Sequence, residues 1–458
     1  MADPVPLSPM GFVTGLALFS LVGLIYLGFK NKHNNGLSYI PGPLAASLSD
    51  LYRLGRVLAG QAHHHDIHLH RKYGSVVRLG PKTVSVSSPD AIQKIYGISA
   101  NLPKSDFYPV NFTYNQGKLI QGIFATKDEN LHRVMKRPIA NLYSMTSILA
   151  YEPLVDETIQ VMVNQLNQRF AATGHPCVLS DWLQFYAFDV ISSVTFSSRV
   201  GFLEQGTDIN NVIEGIWQHF KYFGTIGQMP WLDNFWDKSA IVNALLPAKF
   251  LQSWTISNML AGSDTTAIYL RAILYYLVRH PSALHRALAE LQTAEAEGHL
   301  SPIITYKESS SLPYLDACIK ESGRIHPSIG LPLERVVPPA GLEIDGHYLP
   351  GGTVVGINAW TCQYDKDVFG PDADEWRPER WLVDAAQRTR MERAILLFGA
   401  GHRSCIGKHI ATVETYKLVP QLLREFEWET QNFWIVRQTG MGVVLRRRSK
   451  MQKGDHVA

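Results

Sequence analysis

A glycine-rich run near the C-terminus constrains this chain more than any other feature of its sequence. The run reads F-G-A-G-H-R-S-C-I-G over residues 398–407 and directly precedes a helix-like stretch, residues 408–418. A thiolate in front of a helix receives backbone N–H groups and the positive end of the helix dipole, and both lower the pKa of a cysteine. Gly401 and Gly407 allow the loop backbone to approach a flat ligand or to adopt a positive φ. The run therefore predicts a thiolate, that of Cys405, facing a flat group.

The other residues of this loop narrow the identity of that flat group. Phe398 can shield the sulfur from water, and Arg403 can reach an anionic substituent. Thiolate, shield, cation and glycines together describe a cage for the proximal face of haem. The pattern F-x-x-G-x-R-x-C-x-G resembles the motif of the cytochrome P450 family of haem-thiolate monooxygenases. The alternative is a buried free cysteine in a glycine-rich turn, and five matching positions within ten residues argue against it.

The resemblance implies a cofactor and a fold. The cofactor is haem b (iron protoporphyrin IX), with Cys405 as the axial ligand of the iron and Phe398, Arg403 and Gly407 among the residues that bind it. A thiolate ligand pushes electron density toward the iron and favours O–O cleavage. The fold is mainly α with small β-sheets, a helical prism around the haem, with an N-terminal transmembrane helix.

The periodicity of apolar residues agrees with a mainly helical body. It predicts helices at residues 89–97, 250–280, 282–297 and 312–326, the second ended by Pro281 and the last by Pro327. It predicts a β-hairpin at 74–87, short strands within 337–358 and a last strand pair around 434–448. The β part is therefore minor.

A second motif, A-G-S-D-T-T at residues 261–266, lies within the long predicted helix. Gly262 would let a flat ligand or dioxygen lie against the helix, and Thr265 could turn its hydroxyl away from its i−4 carbonyl to open a groove. Asp264 beside it is an acid, and an acid–alcohol pair can deliver protons to bound oxygen. The motif resembles the oxygen-activation segment of the same family. A surface Asp with a capping-type Thr is the alternative.

Glu321 and Arg324 lie at i and i+3 on one predicted helix, and Arg380 follows in the segment P-E-R-W. The resemblance makes these three residues a buried cluster that is structural and locks the cysteine loop. Mutual pairing would be required there, because an unpaired buried charge is costly. An ordinary surface ion pair is the alternative. Gly323 inside the helix should weaken it slightly.

Haem carries two propionates, so cations should converge on them. His132 and Lys136 occupy the positions of the family's W-x-x-x-R pair, with His for Trp and Lys for Arg. Both still donate hydrogen bonds, although Lys lacks the bidentate fork of Arg. Arg335 and Arg403 match two further propionate contacts, and Arg137 is a neighbouring candidate. Each residue alone would be interpreted as a solvated cation.

The N-terminus contains a run of twenty uncharged, mostly apolar residues, 10–29, which is long enough to span about 30 Å of bilayer core. A cleaved signal peptide has a shorter apolar region that follows positive charge, so a signal anchor is favoured. Lys30 and Lys32 follow the run and place the body in the cytosol by the positive-inside rule. We expect residues 1–9 to be luminal, 30–43 to be a basic and proline-rich linker, and 44–458 to form the catalytic domain.

Composition excludes several other classes of function. A net charge of +3 is too mild to indicate nucleic acid, and we find no nucleic-acid motif. The four cysteines are scattered and do not suggest a disulfide framework, which favours a reducing compartment. Five histidines between residues 63 and 70 have no Cys or carboxylate-rich partner motif, so a metal site there is disfavoured.

One departure from the family concerns the chain between Leu246 and Trp254. The family has several dozen more residues there, including a helix that roofs the substrate cavity. Here residues 246–251 lead almost directly into the oxygen-activation helix. A roofless pocket would admit water and promote unproductive loss of reduced oxygen. Either the architecture is trimmed or the sequence is an aberrant splice or gene-model product.

The resemblance, closest to fungal members similar to pisatin demethylase, implies a monooxygenase of the endoplasmic reticulum membrane. It would use O₂ and electrons from an NADPH-cytochrome P450 reductase, since the chain has no flavin, iron–sulfur or dinucleotide motif of its own. That reductase would dock near Lys408 and Lys417. A haem-thiolate isomerase or dehydratase, and a non-catalytic haem-binding protein, are the alternatives.

The substrate would be an apolar small molecule, oxidised in fungal secondary metabolism or detoxification. We expect its pocket to be lined by residues 107–124, the long helix near Met259, the 328–333 loop and the turn at 439–441, because these segments are largely apolar.

Overall fold

The computed structural model describes residues 9–33, 35–115, 118–235, 238–239, 254–430 and 442–448. The α-helices within these ranges are α1 (Pro9–His33), α2 (Leu44–Leu48), α3 (Leu51–Leu58), α4 (Ala62–Tyr73), α5 (Ala91–Tyr96), α6 (Glu129–Lys136), α7 (Met145–Ala150), α8 (Glu152–Leu166), α9 (Leu179–Phe196), α10 (Phe202–Gln205), α11 (Val212–Ile226), α12 (Trp231–Phe235), α13 (Trp254–Arg279), α14 (Pro281–Ala296), α15 (Tyr306–Ser310), α16 (Pro313–Ile325), α17 (Ala359–Cys362), α18 (Lys366–Phe369), α19 (Ala385–Arg393) and α20 (Lys408–Glu425). The strands are β1 (Val76–Arg78), β2 (Thr83–Val86), β3 (Thr113–Asn115), β4 (Lys118–Ile120), β5 (Cys177–Val178), β6 (Arg335–Val336), β7 (Leu342–Ile344), β8 (His347–Leu349), β9 (Val354–Ile357), β10 (Phe426–Thr430) and β11 (Gly442–Arg447).

The mainly helical prediction is confirmed, and the prolines set helix boundaries as expected. Helix α13 ends at Arg279 before Pro281, and α16 ends at Ile325 before Pro327. The helix after the cysteine loop runs further than predicted, to Glu425 and through Pro420. The last strand pair was placed too late in the chain, because β11 pairs with β10, which directly follows α20. Residues 431–441 lie outside the described part.

The strands form small sheets at the edge of the helical body. The largest has the order β1-β2-β9-β6, in which β2 and β9 are parallel and the other pairs antiparallel. Its last strand, β6, begins at the predicted haem ligand Arg335. The sheet therefore connects the predicted β-hairpin to one side of the site.

The long helix α13 crosses the centre of the largest core and packs against α9, α16 and α20. Its closest approach to α9 is at Gly262, where a Cβ atom would lie 3.0 Å from Cγ1 of Ile191. The expectation that Gly262 makes room for a flat ligand is therefore wrong. The glycine instead allows two helices to pack closely, since Ile191 occupies the space that its missing side chain leaves.

Helix α1 is long, apolar and exposed. An 18-residue window within Val13–His33 has a mean hydropathy of 1.7, and none of its residues is buried inside the protein. The helix is thus long and apolar enough to cross a membrane by length and composition, and it ends four residues beyond the predicted run. Residues 1–8 lie outside the described part.

The shortened connection at residues 246–251 also lies outside the described part. Among the described residues, α11 lies over the 107–112 segment, and the ring centres of Phe107 and Phe223 are 4.5 Å apart. His219 on α11 hydrogen-bonds Asn111 at 2.6 Å. Gly227, at the end of α11, allows this approach because a Cβ there would lie 2.4 Å from the Phe107 ring. Helix α11 therefore covers the 107–112 segment, one of the segments predicted to line the pocket.

Candidate functional site

The glycine-rich loop holds Cys405 between a tight turn and a helix start. The N–H of Cys405 donates to the carbonyl of Phe398 at 2.8 Å, which closes the loop. Gly399 and Gly401 both have φ of +65°, in the left-handed region that favours glycine. A Cβ at Gly401 would lie 1.8 Å from the carbonyl oxygen of Tyr96, so no other residue fits there. The two glycines therefore have a backbone role that the sequence pattern only partly indicated.

Cys405 is the one exposed cysteine among the four, since Cys177, Cys318 and Cys362 are buried. Its side chain faces a local opening, but the dense protein around it still raises the pKa of the thiol through burial. The N–H groups of Gly407 and Lys408, and the ammonium groups of Lys136 and Lys408, oppose this shift. The predicted N–H contacts from the helix start are present and lower the pKa of the thiol as expected, while burial acts in the opposite direction and is the larger effect.

The predicted buried cluster around Glu321 is confirmed. The guanidinium of Arg324 donates to Glu321 through Nε at 2.8 Å and through an Nη at 2.7 Å. Arg380 donates to the same carboxylate from Nε at 2.8 Å, and Trp381 from its indole N–H at 2.9 Å. Glu321 and Arg324 have no exposed surface, and every one of these charged groups is paired. Such pairing offsets the cost of desolvation.

This cluster is connected to the cysteine loop through Gln363. The Gln363 amide donates to the carbonyls of Gly323 and Arg324, and its oxygen accepts from the N–H of Leu396 at 2.8 Å. A Cβ at Gly323 would lie 2.7 Å from the side chain of Leu397. Gly323 therefore lets α16 contact the segment that leads into Phe398, rather than merely weakening the helix as expected.

Two residues of the predicted propionate set, Arg403 and His132, lie at one carboxylate, Glu129, at the start of α6. Arg403 donates to both oxygens of Glu129 at 2.8–3.1 Å, and His402 contacts the same group at 3.0 Å. His132 lies 4.0 Å from it. Burial, with Arg403 and Lys136 nearby, lowers the pKa of His132 to about 4, so this ring is neutral at pH 7.

Lys136 and Arg335 complete the predicted set from two other elements. The ammonium of Lys136 donates to the carbonyl of His402 at 2.7 Å, which ties α6 to the cysteine loop. Arg335 is buried and lies 5.0 Å above the ring of Tyr96, with one Nη 2.8 Å from the carbonyl of Glu334. Arg137, the neighbouring candidate, is exposed on the surface at the end of α6.

Sequence reasoning missed one cation of this group, Lys104. It is buried, its ammonium lies 4.0 Å from the Tyr108 ring centre, and it hydrogen-bonds the carbonyl of Phe124. Burial, Arg335 and Arg403 hold the pKa of Lys104 well below its usual value. The isolated bridge between Lys104 and Arg335 places the two side by side, a long-range pairing with no local sequence signal.

The chain's own groups fit a dianionic ligand at this position. Lys104, Arg335 and Arg403 converge, while the nearby Glu129 is already shared by Arg403 and His402 within the described residues. Burying cations with too few counter-charges is costly unless a ligand supplies anions. The two propionates of haem are such anions, and Cys405 supplies the thiolate donor that haem iron accepts.

The second motif, residues 261–266, lies within α13. Its Thr265 is partly exposed, and the Thr265 hydroxyl donates to the carbonyl of Ala261 at 2.7 Å. The groove expected from a hydroxyl turned away from this carbonyl is therefore absent at this residue. Ser328 donates to the carbonyl of Thr265 at 2.9 Å, which places the predicted 328–333 loop against the motif.

Asp264 is buried and faces α9. One carboxylate oxygen accepts from the amide of Gln184, whose own oxygen accepts from Arg271 at 2.7 Å, and the other has no partner among the described residues. Burial raises the pKa of Asp264 to about 6, and Gln184 and Arg271 oppose the shift. The residue also lines a cavity of about 500 Å³ with Trp217 on α11.

Three further predictions concern residues beyond this centre. Lys417 is fully buried and paired with Glu152 at 2.6 Å and Asp156 at 2.7 Å, so its predicted role in docking is wrong. Lys408 is exposed at the start of α20, as docking requires. Met259 packs with Ile191 and Ile410 rather than in a pocket.

Two other predictions concern a metal site and the lining of the substrate pocket. No group of three or more His, Cys, Asp and Glu side chains able to hold a metal ion occurs among the described residues. The predicted pocket turn at 439–441 lies outside the described part. The 107–112 segment packs in an aromatic cluster with α11 and Leu331, while Phe124 is exposed.

Comparison with known proteins agrees with this geometry. The sequence model of the family described as Cytochrome P450 matches residues 43–244 and 244–451. The chain belongs to the cytochrome P450 family. Members bind haem through a cysteine thiolate and act on small molecules with O₂ and a redox partner, so this chain is an oxidoreductase of the monooxygenase class. The two matched segments meet at residue 244, beside the shortened connection.

Individual relatives are similar over nearly their whole length. A cytochrome P450 monooxygenase of Aspergillus terreus is 44% identical over 88% of this chain and 93% of its own. Cytochrome P450 monooxygenase cicH of Emericella nidulans is 41% identical over 91% of this chain and 95% of its own. Cytochrome P450 monooxygenase pkfB of the same organism is 38% identical over 91% and 93%.

Proposed function

We propose that this protein is a membrane-anchored haem-thiolate monooxygenase that oxidises an apolar small molecule. The observation that carries the proposal is the loop that presents an exposed Cys405 at a helix start, with Lys104, Arg335 and Arg403 close together beside it. The fungal relatives make secondary-metabolite biosynthesis or detoxification the expected setting. Bound haem would supply the chemistry of O₂ activation and C–H oxidation, while the chain's residues hold and protect it.

The residues around the cysteine have distinct roles in this proposal. Cys405 ligates the iron, Phe398 shields the sulfur, and Gly407 gives its N–H to the sulfur from the start of α20. Arg335, Arg403 and Lys104 neutralise the propionates. Lys136 and His132 hold α6 against the loop, the former through its bond to the His402 carbonyl.

On the distal side, Asp264 and Thr265 would move protons toward bound oxygen. A carboxyl with a pKa of about 6 exchanges protons readily near neutral pH, which suits a general acid. Thr265 directly follows Asp264 on α13 and is partly exposed, so its hydroxyl can accept and pass on a proton.

The location and the electron source follow from the N-terminus and the loop. Helix α1 would anchor the chain in the endoplasmic reticulum membrane, with residues 1–9 luminal, 30–43 as linker and 44–458 cytosolic. An NADPH-cytochrome P450 reductase would dock beside Lys408, on the face that carries Cys405. The connection at 246–251 would leave the roof over the pocket shortened.

The test is turnover with a reductase and the Thr265→Ala variant. We expect steady NADPH-driven O₂ consumption with product, and we expect Thr265→Ala to divert electrons to hydrogen peroxide. Thr293→Ala is the matched control, because Thr293 makes the same bond to an i−4 carbonyl, at 2.9 Å, on the exposed face of α14. Rearrangement of a peroxide without NADPH would favour an isomerase or dehydratase, and no turnover would favour a non-catalytic protein.

A further inference from the structure

A cavity of about 500 Å³ lies between α9, α11 and α13, and Asp264 is one of its lining residues. Its volume falls within the range of roughly 300–1,000 Å³ that small-molecule sites occupy. Thr207, Glu214 and Trp217 in its lining are exposed, whereas Asp264 and Gln184 are buried. The cavity therefore extends from the protein surface to a buried carboxyl group and is large enough for a small organic molecule.

The charged groups that line this cavity are mostly acidic. Among the described residues they are four carboxylates and one guanidinium, those of Asp181, Asp208, Glu214, Asp264 and Arg271. The guanidinium of Arg271 is already engaged with α9, because it donates to the carbonyl of Ser180 at 2.6 and 3.0 Å and to the amide oxygen of Gln184 at 2.7 Å. The lining therefore carries an excess of negative charge, which attracts cations into the cavity.

Asp264 differs from the other lining carboxylates because it is buried and incompletely hydrogen-bonded. It is 9% exposed, one of its oxygens accepts from Gln184, and the other has no partner among the described residues. Asp208, by contrast, accepts the backbone N–H groups of Ile213 at 3.0 Å and Glu214 at 3.1 Å. Burial raises the pKa of Asp264 to about 6, so most molecules still carry the charge at pH 7. A cation in the cavity would stabilise this charge.

The rest of the lining is largely apolar and aromatic. Phe185 from α9 and Trp217 from α11 contribute rings, and Ile213 and Ile268 contribute aliphatic side chains. Aromatic faces attract organic cations, and tryptophan does so best. The described residues contain no group of three or more side chains able to hold a metal ion. Acidic groups within aromatic walls therefore suit an organic cation better than a metal ion.

We propose that this cavity binds an organic ammonium ion with an apolar body, its charged head toward Asp264 and its body against Phe185 and Trp217. The exposed carboxylate of Glu214 would attract the cation from solution. The aromatic side chains would pack against the apolar body and add a cation–π attraction to the head. The site is formed by α9, α11 and α13 and uses none of the residues assigned to binding haem.

Occupation of the cavity would interfere with proton delivery. A cation beside Asp264 favours the ionised carboxylate and so lowers the pKa of this group. Asp264 would then take up a proton less readily near neutral pH, and less product would form per O₂ consumed. This consequence rests on the role proposed above for Asp264, whereas the binding of the cation does not. The ligand would therefore act as an inhibitor without entering the haem pocket.

The test of binding is titration calorimetry of the full-length haem protein with benzyltrimethylammonium chloride. A quaternary ammonium ion has no lone pair for the haem iron, so we expect saturable binding with an unchanged Soret band. Trp217→Ala and Asp264→Asn should each weaken binding roughly tenfold, because they remove a cation–π partner and a buried counter-charge. Trp231→Ala is the matched control, since Trp231 on α12 is 54% exposed and Trp217 is 50% exposed.

Three results would overturn the site: no saturable binding, equal binding by the parent protein and both variants, or a Soret shift that places the probe in the haem pocket. The consequence is tested by turnover, in which the yield of product per O₂ should fall over the concentration range where the probe binds. Binding without this fall would overturn the effect on proton delivery and retain the site. A carbon monoxide difference spectrum reports the haem site separately, so failure of the proposed function is distinguishable from failure of the cation site.

Discussion

Buried carboxylates in this protein fall into two kinds, and the difference determines what single substitutions should do. Glu321 receives hydrogen bonds from two arginines and an indole, so its charge is compensated. Glu414 on α20 is equally buried, but neither of its carboxylate oxygens has a partner among the described residues. Burial therefore raises the pKa of Glu414 well above its usual value.

Glu414→Gln should change how stability depends on pH. The folded protein holds a proton on Glu414 that the unfolded chain releases above about pH 4.5, so the free energy of unfolding should fall by about 1.4 kcal/mol per pH unit as pH rises between the two pKa values. The variant should lose this slope. Thermal unfolding at pH 5, 6 and 7 measures it, and the exposed Glu427→Gln is the control. An unchanged slope in Glu414→Gln would contradict a protonated Glu414.

Gln184→Leu should shift the pH dependence of coupling, the yield of product per O₂ consumed. The amide of Gln184 lowers the pKa of Asp264, which burial raises to about 6. Without the amide this pKa should rise, so Asp264 would stay protonated, and coupling would persist, to higher pH. Profiles of coupling between pH 5 and 8 measure the shift, with the exposed Gln160→Leu as control. A profile identical to that of the parent protein would exclude Asp264 from proton delivery.

At the residue scale, motifs predicted the site only where its parts are close in sequence or shared with the family. Cys405, Arg403 and the Glu321 cluster were placed this way. Lys104 and Gln184 were missed, because each meets its partners through contacts between distant segments that no local pattern encodes. The burial that raises the pKa of the Cys405 thiol is likewise a property of the fold that no motif encodes.

Helix packing in this protein depends on two glycines inside helices, a position where glycine is expected to lower helix stability. Gly262 and Gly323 lie inside helices, where glycine costs about 1 kcal/mol relative to alanine. The structure shows that each one admits a neighbour, Ile191 in one case and Leu397 with Tyr269 in the other. Helix α16 can therefore approach the segment before the cysteine loop closely because Gly323 has no side chain.

Gly323→Ala should lower the free energy of unfolding by about 1–3 kcal/mol, because the added methyl group overpacks the interior. It should also loosen the cysteine loop. The new methyl group would lie 2.7 Å from Leu397 and 2.9 Å from Tyr269, both in dense surroundings. Gly215→Ala is the matched control, because Gly215 is exposed in α11 with nothing within 4 Å of its Cβ position, and should stabilise by up to about 1 kcal/mol. Thermal unfolding midpoints that move in the same direction would contradict this account.

Element boundaries were predictable wherever proline or glycine punctuates the chain, as at the ends of α13 and α16. Strand partners were not, and β10 shows why. It follows α20 without a turn and pairs with β11 across residues 431–441, so its place depends on tertiary pairing rather than on a hairpin signal. Among the described strands, β1–β2, β3–β4 and β7–β8 pair with close neighbours in sequence, whereas β2–β9, β6–β9 and β5–β11 join distant segments.

At the scale of the whole molecule, the proposed function divides the surface into faces with different partners. The face with Cys405 and Lys408 would meet the reductase, and helix α1 would meet the membrane. Lys417 was assigned to the first face from sequence, but it is buried with Glu152 and Asp156 and acts inside the body. Sequence position near the cysteine is therefore no guide to exposure on a helix.

Lys408→Glu should raise the reductase concentration needed for half-maximal turnover roughly fivefold, because reversal of one rim charge is worth about 1 kcal/mol. The effect should shrink at high salt, where exposed charges are screened. Titration of NADPH-cytochrome P450 reductase into a fixed amount of the protein gives the value. Lys221→Glu, an exposed lysine on α11, is the control, and an equal effect of both substitutions would contradict docking beside Lys408.

The central claim is that Cys405 holds haem as a thiolate in this chain, shortened connection included. The most direct measurement is a carbon monoxide difference spectrum of the dithionite-reduced, membrane-expressed protein, with Cys405→Ala as control. A strongly red-shifted Soret band in the parent protein, absent from the variant, is the predicted result. No band, a less-shifted band in the parent protein, or a red-shifted band retained in Cys405→Ala would contradict the claim.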